Sequence, residues 1–336
     1  MITTPSHGRF GNLVWEYAST VAIGHFLHRT PYLPRVILNE LRKVFRDPQV
    51  PAYEDTILSD QCRKAHGGDA SHCWETGADL PDGDPSPWNV LCYNIKRGDW
   101  LSESVAMKPI AELQSMNDRG AFGDVVILPV YISHTEAVSK YGRERFRQLF
   151  QFRPEISDLA RRTIDGVLNS CEPSGDKEFT FVGIHARRTD YTNHLKDLFG
   201  KKVNYADVSY YQRAMARMVE LRTNKTVLFL VVSDDRDWCL KNLVNEDSGV
   251  FWGGLEGTPY HNGTVKIDQD TMRNHDLALM ASLNDSIISY GTFGVTGALL
   301  AGGHTITFKL NYTSSAVRTI ENPPPSNYFE DWEMMD

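Results

Sequence analysis

Short apolar segments alternate with segments of helical periodicity through the second half of this chain. The apolar segments have the length of strands, and they cover residues 179–184, 227–232, 249–252, 286–289 and 305–310. Strands that alternate with helices in this way are typical of a parallel sheet with right-handed crossovers. We therefore predict the α/β fold class, with a Rossmann-like parallel sheet in the C-terminal half.

The predicted helices and one linker divide the chain further. The helices cover 12–26, 133–150, a segment that begins at Pro154, and segments near 209–219, 236–244, 274–283 and 295–301. Ser133 and Ser209 each open a capping box, and Pro154 suits the first turn of a helix. A polar linker at 169–177 indicates an N-terminal domain over 1–170, a Rossmann-like domain over 171–322 and a tail over 323–336. The prolines of this tail predict that it continues neither a helix nor a sheet.

Composition and charge exclude several classes of protein. The chain has 336 residues, a formal net charge of −8 and no low-complexity tract. A general nucleic-acid-binding protein needs a basic surface, so nucleic acid is not an expected partner. No apolar stretch is long enough for a transmembrane helix, and the N-terminal residues do not form a signal peptide. We therefore expect a soluble chain.

A cluster of charged side chains follows the first predicted strand of the sheet. It contains His185, Arg187, Arg188 and Asp190. Guanidinium groups bind phosphate oxygens in a bidentate geometry, and ligands of open α/β sheets bind at the carboxyl ends of strands. The cluster therefore predicts a diphosphate site of the kind that holds a sugar nucleotide. In the alternative interpretation, an arginine pairs with Asp190 or another carboxylate and only stabilises the loop.

Two later loops also begin with residues suited to a ligand. Ser233, Asp234 and Asp235 follow one strand, and Thr292 and Phe293 stand in a glycine-bracketed turn after another. In a parallel sheet these loops converge at one edge, where carboxylates accept hydrogen bonds from a base or a ribose and backbone N–H groups reach phosphate. The aspartates have an alternative role as helix caps, and the glycine-bracketed segment has one as a tight turn.

The loop Gly8-Arg9-Phe10-Gly11-Asn12 leads into the first predicted helix. Glycine permits close approach of the backbone to a ligand, and Asn12 can cap the helix and donate to a ligand oxygen. The loop lacks the lysine of a P-loop and the spacing of a dinucleotide-binding fingerprint. It therefore supports neither an ATPase nor an NAD-dependent enzyme.

Four blocks of this sequence resemble the α-1,2-fucosyltransferases, in the order in which that family has them. They are the loop that ends at Asn12, the His-x-Arg-Arg-x-Asp segment 185–190, the segment 229–239, and a last block made of 276–280 and 287–303. The His-x-Arg-Arg-x-Asp block is also shared with α-1,6- and protein O-fucosyltransferases. The Gly-Thr-Phe-Gly sequence at 291–294 favours the α-1,2 group.

The resemblance implies a GT-B-like, two-domain glycosyltransferase. Its donor would be GDP-fucose, it would invert the anomeric carbon, and it would need no metal or other cofactor. The acceptor implied is the 2-hydroxyl of a terminal β-galactoside on a glycan, although Leu13 and Val14 stand where the family often has Gln-Met and leave the acceptor open. The alternatives are a fucosyltransferase with another acceptor, including a protein, and a catalytically silent module that binds a glycan or nucleotide.

The resemblance also implies catalytic roles. Arg187 would bind the diphosphate and offset the charge of the leaving group, and His185 and Arg188 would support that anion or its loop. Inverting transfer needs a base within about 3 Å of the acceptor hydroxyl. Asp190 is predicted to be this base because it shares a loop with Arg187, and Glu16 is the second choice. The alternative role of Asp190 is a salt bridge to an arginine of its own loop.

The donor pocket is implied in the same way. Asp234 or Asp235 would read the guanine or the ribose, Thr292 and Phe293 would line the phosphate or base pocket, and Asn12 would lie near the phosphate or the acceptor. The complete implied donor-binding set is Asn12, Arg187, Arg188, Ser233, Asp234, Asp235, Thr292 and Phe293.

Glycosylation signals and cysteines favour a secretory compartment. Sequons occur at Asn224, Asn262, Asn284 and Asn311, of which we expect about two to be used. The cysteines Cys62, Cys73 and Cys92 lie in a loop-rich stretch, with spacings that fit no zinc pattern. The resemblance implies the Golgi lumen, with membrane contact only through an anchor that this chain does not contain.

Overall fold

A computed structural model describes residues 1–5, 8–46, 48–55, 101–171, 178–200, 202–257, 267–311 and 329–336. The chain divides into two units, Met1–Phe150 and Gln151–Asp336, here called the first and second unit. Cys62, Cys73 and Cys92, the sequon at Asn262 and most of the predicted linker lie outside the described residues.

A long buried helix forms the centre of the first unit. The elements are β1 (Ile2–Thr3), α1 (Phe10–Phe26), α2 (Arg35–Arg42), a 3₁₀ turn (Tyr53–Asp55), α3 (Glu103–Ala106), α4 (Ile110–Asp118), β2 (Val126–Ile127), α5 (Thr135–Tyr141) and α6 (Arg143–Leu149). Helix α1 is apolar on nearly every side and is buried accordingly. Trp15 and Tyr17 of this helix contact the rings of Phe146 and Phe150. Strands β1 and β2 pair in parallel beside it.

The second unit alternates helices with the strands of one sheet. Its elements are α7 (Pro154–Ser170), β3 (Phe179–Ala186), α8 (Tyr191–Phe199), α9 (Val208–Leu221), β4 (Thr226–Ser233), α10 (Arg236–Asn242), β5 (Val250–Trp252), α11 (Gln269–Ser282), β6 (Asp285–Ile288), α12 (Thr292–Ala301), β7 (Thr305–Phe308) and β8 (Trp332–Met335). All six strands pair in parallel, in the order β5-β4-β3-β6-β7-β8. The predicted α/β class and parallel sheet are confirmed.

This strand order places a ligand crevice beside the central strand. The chain runs outward from β3 through β4 to β5, and then returns to the other side of β3 to form β6. Doubly wound sheets of this order have their crevice at the carboxyl ends of the two strands where the direction reverses. In this sheet those strands are β3 and β6.

Side-chain size explains how the helices approach the sheet. Gly183 of β3 lies against Met280 of α11, where a Cβ atom would come 2.5 Å from the sulfur. On the carboxyl side of the sheet, the buried Tyr210 of α9 donates a hydrogen bond of 2.6 Å to the carbonyl of Ile288. The hydroxyl of Tyr210 also lies 3.3 Å from the carbonyl of Ile306. One tyrosine thereby joins the end of β6 to β7.

Both predicted domain boundaries differ from the structure. The units divide at residue 150, not at 170, because α7 packs against α11 of the second unit. The C-terminal segment joins the sheet as β8, which pairs with β7 from Trp332 to Met335. The prolines at 323–325 restrict only their own neighbourhood, and the apolar residues that follow can still extend the sheet edge.

Three predicted helix boundaries also needed correction. The helix expected over 133–150 is two helices, because Gly142 has a φ of 100° between α5 and α6. The cap of α5 is the His134 side chain, which accepts from the N–H of Ala137, and the cap of α9 is Asp207, which accepts from the N–H of Tyr210. Predicted caps at Ser133 and Ser209 were therefore wrong by one and two residues.

None of the helices in the described ranges has the length and apolar composition that a bilayer-spanning segment needs.

Candidate functional site

The loops after β3, β4 and β6 meet at the carboxyl edge of the sheet, where the strand order places the crevice. The N–H of Arg187 donates to the Ser289 hydroxyl, which follows β6, over 3.0 Å. The N–H of Arg188 donates to Oδ1 of Asp234, which follows β4, over 2.9 Å. The convergence of the predicted site loops in this unit is therefore observed in the contacts themselves.

Arg187 lies between two carboxylates. Its Nη2 is 2.6 Å from Oδ1 of Asp190, and its Nη1 is 3.0 Å from Oδ2 of Asp234. The guanidinium is about one-fifth exposed, and its carbon atom lies 5.9 Å from the ring centre of Tyr191. The pairing with Asp190 is the salt bridge within the loop that the sequence left open as an alternative. Two carboxylates therefore hold the cation at the crevice.

Asp234 organises the loop that carries the arginines. Besides Arg187 and the N–H of Arg188, its carboxylate accepts from the N–H and the hydroxyl of Thr189, over 3.2 and 2.5 Å. Burial raises the pKa of this carboxyl, but the Thr189 hydroxyl and the Arg187 charge outweigh burial and hold its pKa below the usual value. Asp234 is therefore an anion that fixes the backbone N–H groups of Arg188 and Thr189 and the guanidinium of Arg187.

Asp235 and Arg188 form a second, adjacent arrangement. Asp235 caps α10 by accepting from the N–H of Trp238, and its other oxygen lies 3.3 Å from Nε of Arg188. The Arg188 guanidinium lies 3.6 Å above the Trp238 ring, a cation–π contact. Ser233 connects the strands here, because its hydroxyl donates to the carbonyl of Ala186 and accepts from the N–H of Asp235. In this structure Asp235 therefore has the capping role that the sequence allowed.

His185 ends β3 and points towards the start of α12. It is 5% exposed, and within the described residues its Nδ1 is buried without a hydrogen-bond partner. A Cβ atom on Gly294 would come 2.7 Å from this nitrogen. Burial lowers the pKa of His185 to about 4, and the Asp234 carboxylate offsets only part of that shift. The imidazole is therefore neutral near pH 7.

The turn after β6 presents the start of α12 to the same crevice. Helix α12 begins at Thr292, after Gly291 with a φ of 89°. Phe293 lies 5.2 Å from His185 between ring centres. Helix N-termini attract anions through their N–H groups and dipole, so Thr292 and Phe293 stand where the sequence placed an anion-binding turn.

The two remaining predicted residues belong to α1 of the first unit. Helix α1 begins at Phe10, so Asn12 lies in its first turn and is not its cap, which is Arg9. Glu16 is fully buried, and its Oε1 accepts from the backbone N–H of Tyr131 over 3.0 Å.

Four residues at these sites were missed from the sequence. The Thr189 hydroxyl donates to the Asp234 carboxylate, and the Ser289 hydroxyl accepts the N–H of Arg187. The Trp238 ring contacts the Arg188 guanidinium. Tyr191 stacks on Tyr290 at 4.7 Å and joins the loops after β3 and β6. Thr189 and Tyr191 stand inside or beside the charged cluster, which was a usable signal, whereas Ser289 and Trp238 were assigned only to a strand and a helix face.

Across the described ranges, no three or more His, Cys, Asp and Glu side chains are grouped as a metal site. Metal independence stays a prediction.

Curated relatives match nearly the whole chain. The chain is 28% identical over 316 residues to galactoside alpha-(1,2)-fucosyltransferase 2 of Rattus norvegicus, which covers 93% of this chain and 70% of the relative. It is 26% identical over 336 residues to galactoside 2-alpha-L-fucosyltransferase Sec1 of Mus musculus, covering 99% of this chain and 73% of the relative. The similarity therefore includes both units.

Solved structures also match, at low identity. A mutant of Arabidopsis thaliana FUT1 in complex with GDP is 11% identical, with a TM-score of 0.47, over 97% of this chain and 72% of that one. POFUT1 in complex with GDP-fucose is 13% identical, with a TM-score of 0.45, over 90% of this chain and 95% of that one.

The family description "Glycosyl transferase family 11" matches residues 133–336. This range is more than half of the chain, and it includes the whole Rossmann-like sheet with its three site loops. The chain therefore belongs to glycosyl transferase family 11.

Proposed function

We propose that this protein transfers L-fucose from GDP-fucose to the 2-hydroxyl of a terminal β-galactoside, with inversion and without a metal ion. Family membership and the names of the rat and mouse relatives support the reaction class and the substrates. The observation that carries the proposal is the position of Arg187, which follows β3 directly and binds through its N–H to Ser289, in the turn that leads to α12. A guanidinium and a helix N-terminus at one crevice suit a diphosphate.

The reaction breaks the bond between the anomeric carbon of fucose and the β-phosphate oxygen, and GDP leaves with the electron pair. The acceptor oxygen forms its bond to that carbon from the opposite face. Arg187 would stabilise the charge that develops on the departing diphosphate. Neutral His185 would offer its unpaired Nδ1 as a hydrogen-bonding group beside Thr292 and Phe293, as the buried nitrogen and its 5.2 Å ring contact with Phe293 support.

Asp190 is the proposed base. Its carboxylate is about two-fifths exposed and is held by Nη2 of Arg187. A diphosphate that binds Arg187 competes for this edge of the guanidinium, because a nucleotide phosphate offers a bidentate partner of higher charge. Donor binding would then free the Asp190 carboxylate to accept the proton of the acceptor hydroxyl.

The nucleoside would be read by the loop after β4. Within the described residues, one oxygen of Asp235 pairs with Arg188 at 3.3 Å, whereas Asp234 already accepts from several groups of its neighbouring loop. Asp235 is therefore the better candidate to accept from guanine or ribose, with Arg188 and Ser233 holding it in place. Asn12 is proposed to contact the phosphate or the acceptor from the first unit.

A Golgi lumenal location is proposed on the animal relatives and the sequons. The sequon residue Asn224 lies in an exposed turn between α9 and β4. The side chains of Asn284 and Asn311 are engaged with backbone groups, since each accepts from an N–H of a neighbouring segment. Among the described sequons, we therefore propose Asn224 as a glycan site.

The Arg187→Ala variant tests the diphosphate site. We expect it to lower GDP affinity by about 30-fold or more, because about 2 kcal/mol of charge-assisted hydrogen bonding is lost. We expect turnover with GDP-fucose to fall by about 10²- to 10³-fold, as for loss of one transition-state donor. The measurements are calorimetric titration with GDP and the initial rate of fucose transfer, each with and without EDTA.

Arg161→Ala on α7 is the matched control. Arg161 is an exposed arginine that, within the described residues, pairs with Asp158 of the same helix. The control variant should behave like the wild type. UDP, ADP and NAD serve as control nucleotides, which we expect not to bind. Normal turnover by Arg187→Ala would refute the assignment of Arg187. GDP binding without any transfer would favour a silent binding module, and dependence on a divalent metal would refute the metal-independent mechanism.

A further inference from the structure

We propose that Tyr131 is a sugar-contacting residue that helps to select the acceptor, and that the buried Glu16 positions it. This assignment deepens the proposed function, on which it rests, by naming a hexose-binding element within the first unit.

Tyr131 stands where the loops after the two parallel strands of the first unit meet. The hydroxyl of Thr4, after β1, donates to the carbonyl of Pro129, after β2, over 3.1 Å. Gly8 lies against the Tyr131 ring, because a Cβ atom at Gly8 would come 2.6 Å from Cε1 of that ring, and closer still to the Asn12 amide. The carboxyl ends of parallel strands are where α/β units bind their ligands. Tyr131 therefore adjoins the glycine-bracketed loop at a ligand-binding edge.

The backbone of Tyr131 is in a strained conformation. The φ of Tyr131 is 57°, and Gly8, which lies against its ring from the loop after β1, has a φ of 90°. A residue with a Cβ atom rarely adopts the left-handed region, and such residues persist where the surrounding structure holds them. Glycine would be the favourable residue at position 131 if only the turn mattered.

Two side chains of α1 hold this loop in place. The fully buried Glu16 carboxylate accepts the N–H of Tyr131 over 3.0 Å. One turn along the helix, the buried Ser19 hydroxyl accepts the N–H of His134 over 3.0 Å. A carboxylate inside an apolar helix core is unfavourable unless it is hydrogen-bonded. The core helix therefore carries a buried acid that fixes the backbone of the strained tyrosine.

The ring of Tyr131 is only half-buried. Filling the core therefore does not explain why a tyrosine stands at this strained position. An aromatic face with an adjacent amide matches the two kinds of surface of a hexose, which has an apolar C–H face and polar hydroxyls. The residues proposed for the nucleotide diphosphate belong mostly to the loops of the second unit. We therefore assign the Tyr131 ring to the acceptor hexose, and Glu16 to positioning and not to proton transfer.

Variants of Tyr131 separate the ring from the backbone. Tyr131→Phe keeps the ring, Tyr131→Ala removes it, and Tyr131→Gly removes it while relieving the left-handed strain. We expect Tyr131→Ala and Tyr131→Gly to raise KM for methyl β-galactoside by about tenfold or more, the loss typical of an anchoring aromatic. GDP affinity should stay unchanged, and the Tm of Tyr131→Gly should equal or exceed that of the wild type. Tyr131→Phe should stay within about threefold of the wild-type KM.

Variants of Glu16 separate positioning from catalysis. Glu16→Gln keeps an oxygen that can accept the N–H of Tyr131, so we expect it to retain most of the wild-type kcat and KM. Glu16→Ala should show the same rise in KM as Tyr131→Ala. Tyr141→Ala is the control, since Tyr141 is a half-buried tyrosine of the same unit that contacts His25.

Galactoside binding is also measured directly, by saturation-transfer NMR of methyl β-galactoside in the presence of GDP. Loss of this signal in Tyr131→Ala, with the control unaffected, would support the proposal even if transfer is slow. An unchanged KM and NMR signal in Tyr131→Gly would overturn the role of the ring. Loss of kcat in Glu16→Gln would overturn positioning and make Glu16 the base. A wild-type protein that does not bind GDP would instead refute the proposed donor.

Discussion

At the residue scale, the candidate site is a network of charges around the Asp234 carboxylate. Asp234 accepts from both backbone and side-chain groups of the segment 187–189, and it shares Arg187 with Asp190. The site therefore holds its cation with carboxylates of two different loops. A ligand with phosphate groups can replace one of these carboxylates without leaving the guanidinium unpaired.

His185 should make stability depend on pH. Its pKa is lowered to about 4 in the folded protein from 6.5, so the unfolded chain binds a proton more readily between these values. The resulting stability is fully present above pH 6.5 and falls as the pH drops towards 4. The expected loss is about 2 kcal/mol between pH 7.5 and 5.

Urea unfolding of the wild type and of His185→Asn at both pH values measures this contribution. The variant should lose less stability between the two pH values than the wild type does. Equal pH dependence in both proteins would contradict the buried, neutral state of His185.

The residues of the candidate site were easier to predict from the sequence than the contacts between them. The pattern of charges after β3 and β4 predicted which loops carry the chemistry, since parallel strands bring their carboxyl ends together. It left open whether Asp190 pairs with an arginine and whether an aspartate caps a helix, and the structure shows both contacts. These pairings depend on side-chain distances between separate loops, which spacing along the chain does not determine.

At the element scale, helix α9 holds the end of β6, one of the two strands that border the crevice. Tyr210 is fully buried, and its hydroxyl donates to the carbonyl of Ile288 at the end of β6. The turn that leads to α12 begins just after this carbonyl. Helix α9 therefore helps to fix the start of the anion-binding turn.

Tyr210→Phe should destabilise the protein by about 1–2 kcal/mol, because the variant leaves a buried carbonyl without its donor. Chemical denaturation measures the change. Tyr205→Phe is the matched control, since the Tyr205 hydroxyl donates to the carbonyl of Thr192 in a partly exposed position, and it should cost less. A larger loss of stability in Tyr205→Phe than in Tyr210→Phe would contradict the role of the buried Tyr210 hydrogen bond.

Strands were easier to predict than short helices. All five strands predicted over 179–310 are present, with ends within two residues of those expected, because their apolar β-branched and aromatic runs are distinctive. Helix α8 was missed because it begins directly after the charged cluster and mixes polar with apolar residues. The helix over 133–150 was predicted as one because the sequence does not reveal that Gly142 adopts a positive φ.

At the scale of the whole molecule, the C-terminal strand completes the sheet of the second unit. Strand β8 covers β7, which would otherwise be an exposed edge. Glu333 of β8 lies 3.2 Å from Nε of Arg217 on α9, and His304 lies 3.4 Å from the same carboxylate. The last residues of the chain are therefore part of the fold of the second unit.

A chain shortened to end at residue 331 should be less stable and should aggregate, because it exposes the row of unpaired backbone groups along β7. Thermal unfolding and light scattering measure both effects. Glu333→Gln, which keeps β8 but weakens its ionic contacts, should change stability by less than about 1 kcal/mol. A shortened chain that stays monomeric with an unchanged Tm would contradict the role of β8.

The sheet and its parallel strands were predictable from the sequence, but the strand order was not. The order depends on which side of β3 each crossover returns to, and this is decided by packing of the helices on the sheet. The same is true of the unit boundary, because α7 has the periodicity of any surface helix and only its contact with α11 assigns it to the second unit. The sequence does not predict β8, because its four residues form too short a run to stand out after the prolines at 323–325.

The most direct test of the proposed activity is analysis of the product by NMR. The wild-type protein is incubated with GDP-fucose and methyl β-galactoside in EDTA, beside Arg187→Ala and Arg161→Ala. We expect α-linked fucose on the 2-hydroxyl of galactose. The wild type and the Arg161 variant should form this product at similar rates, and the Arg187 variant at least about 10²-fold more slowly. Absence of product, a β-linkage, or fucose on a different hydroxyl would contradict the proposed activity.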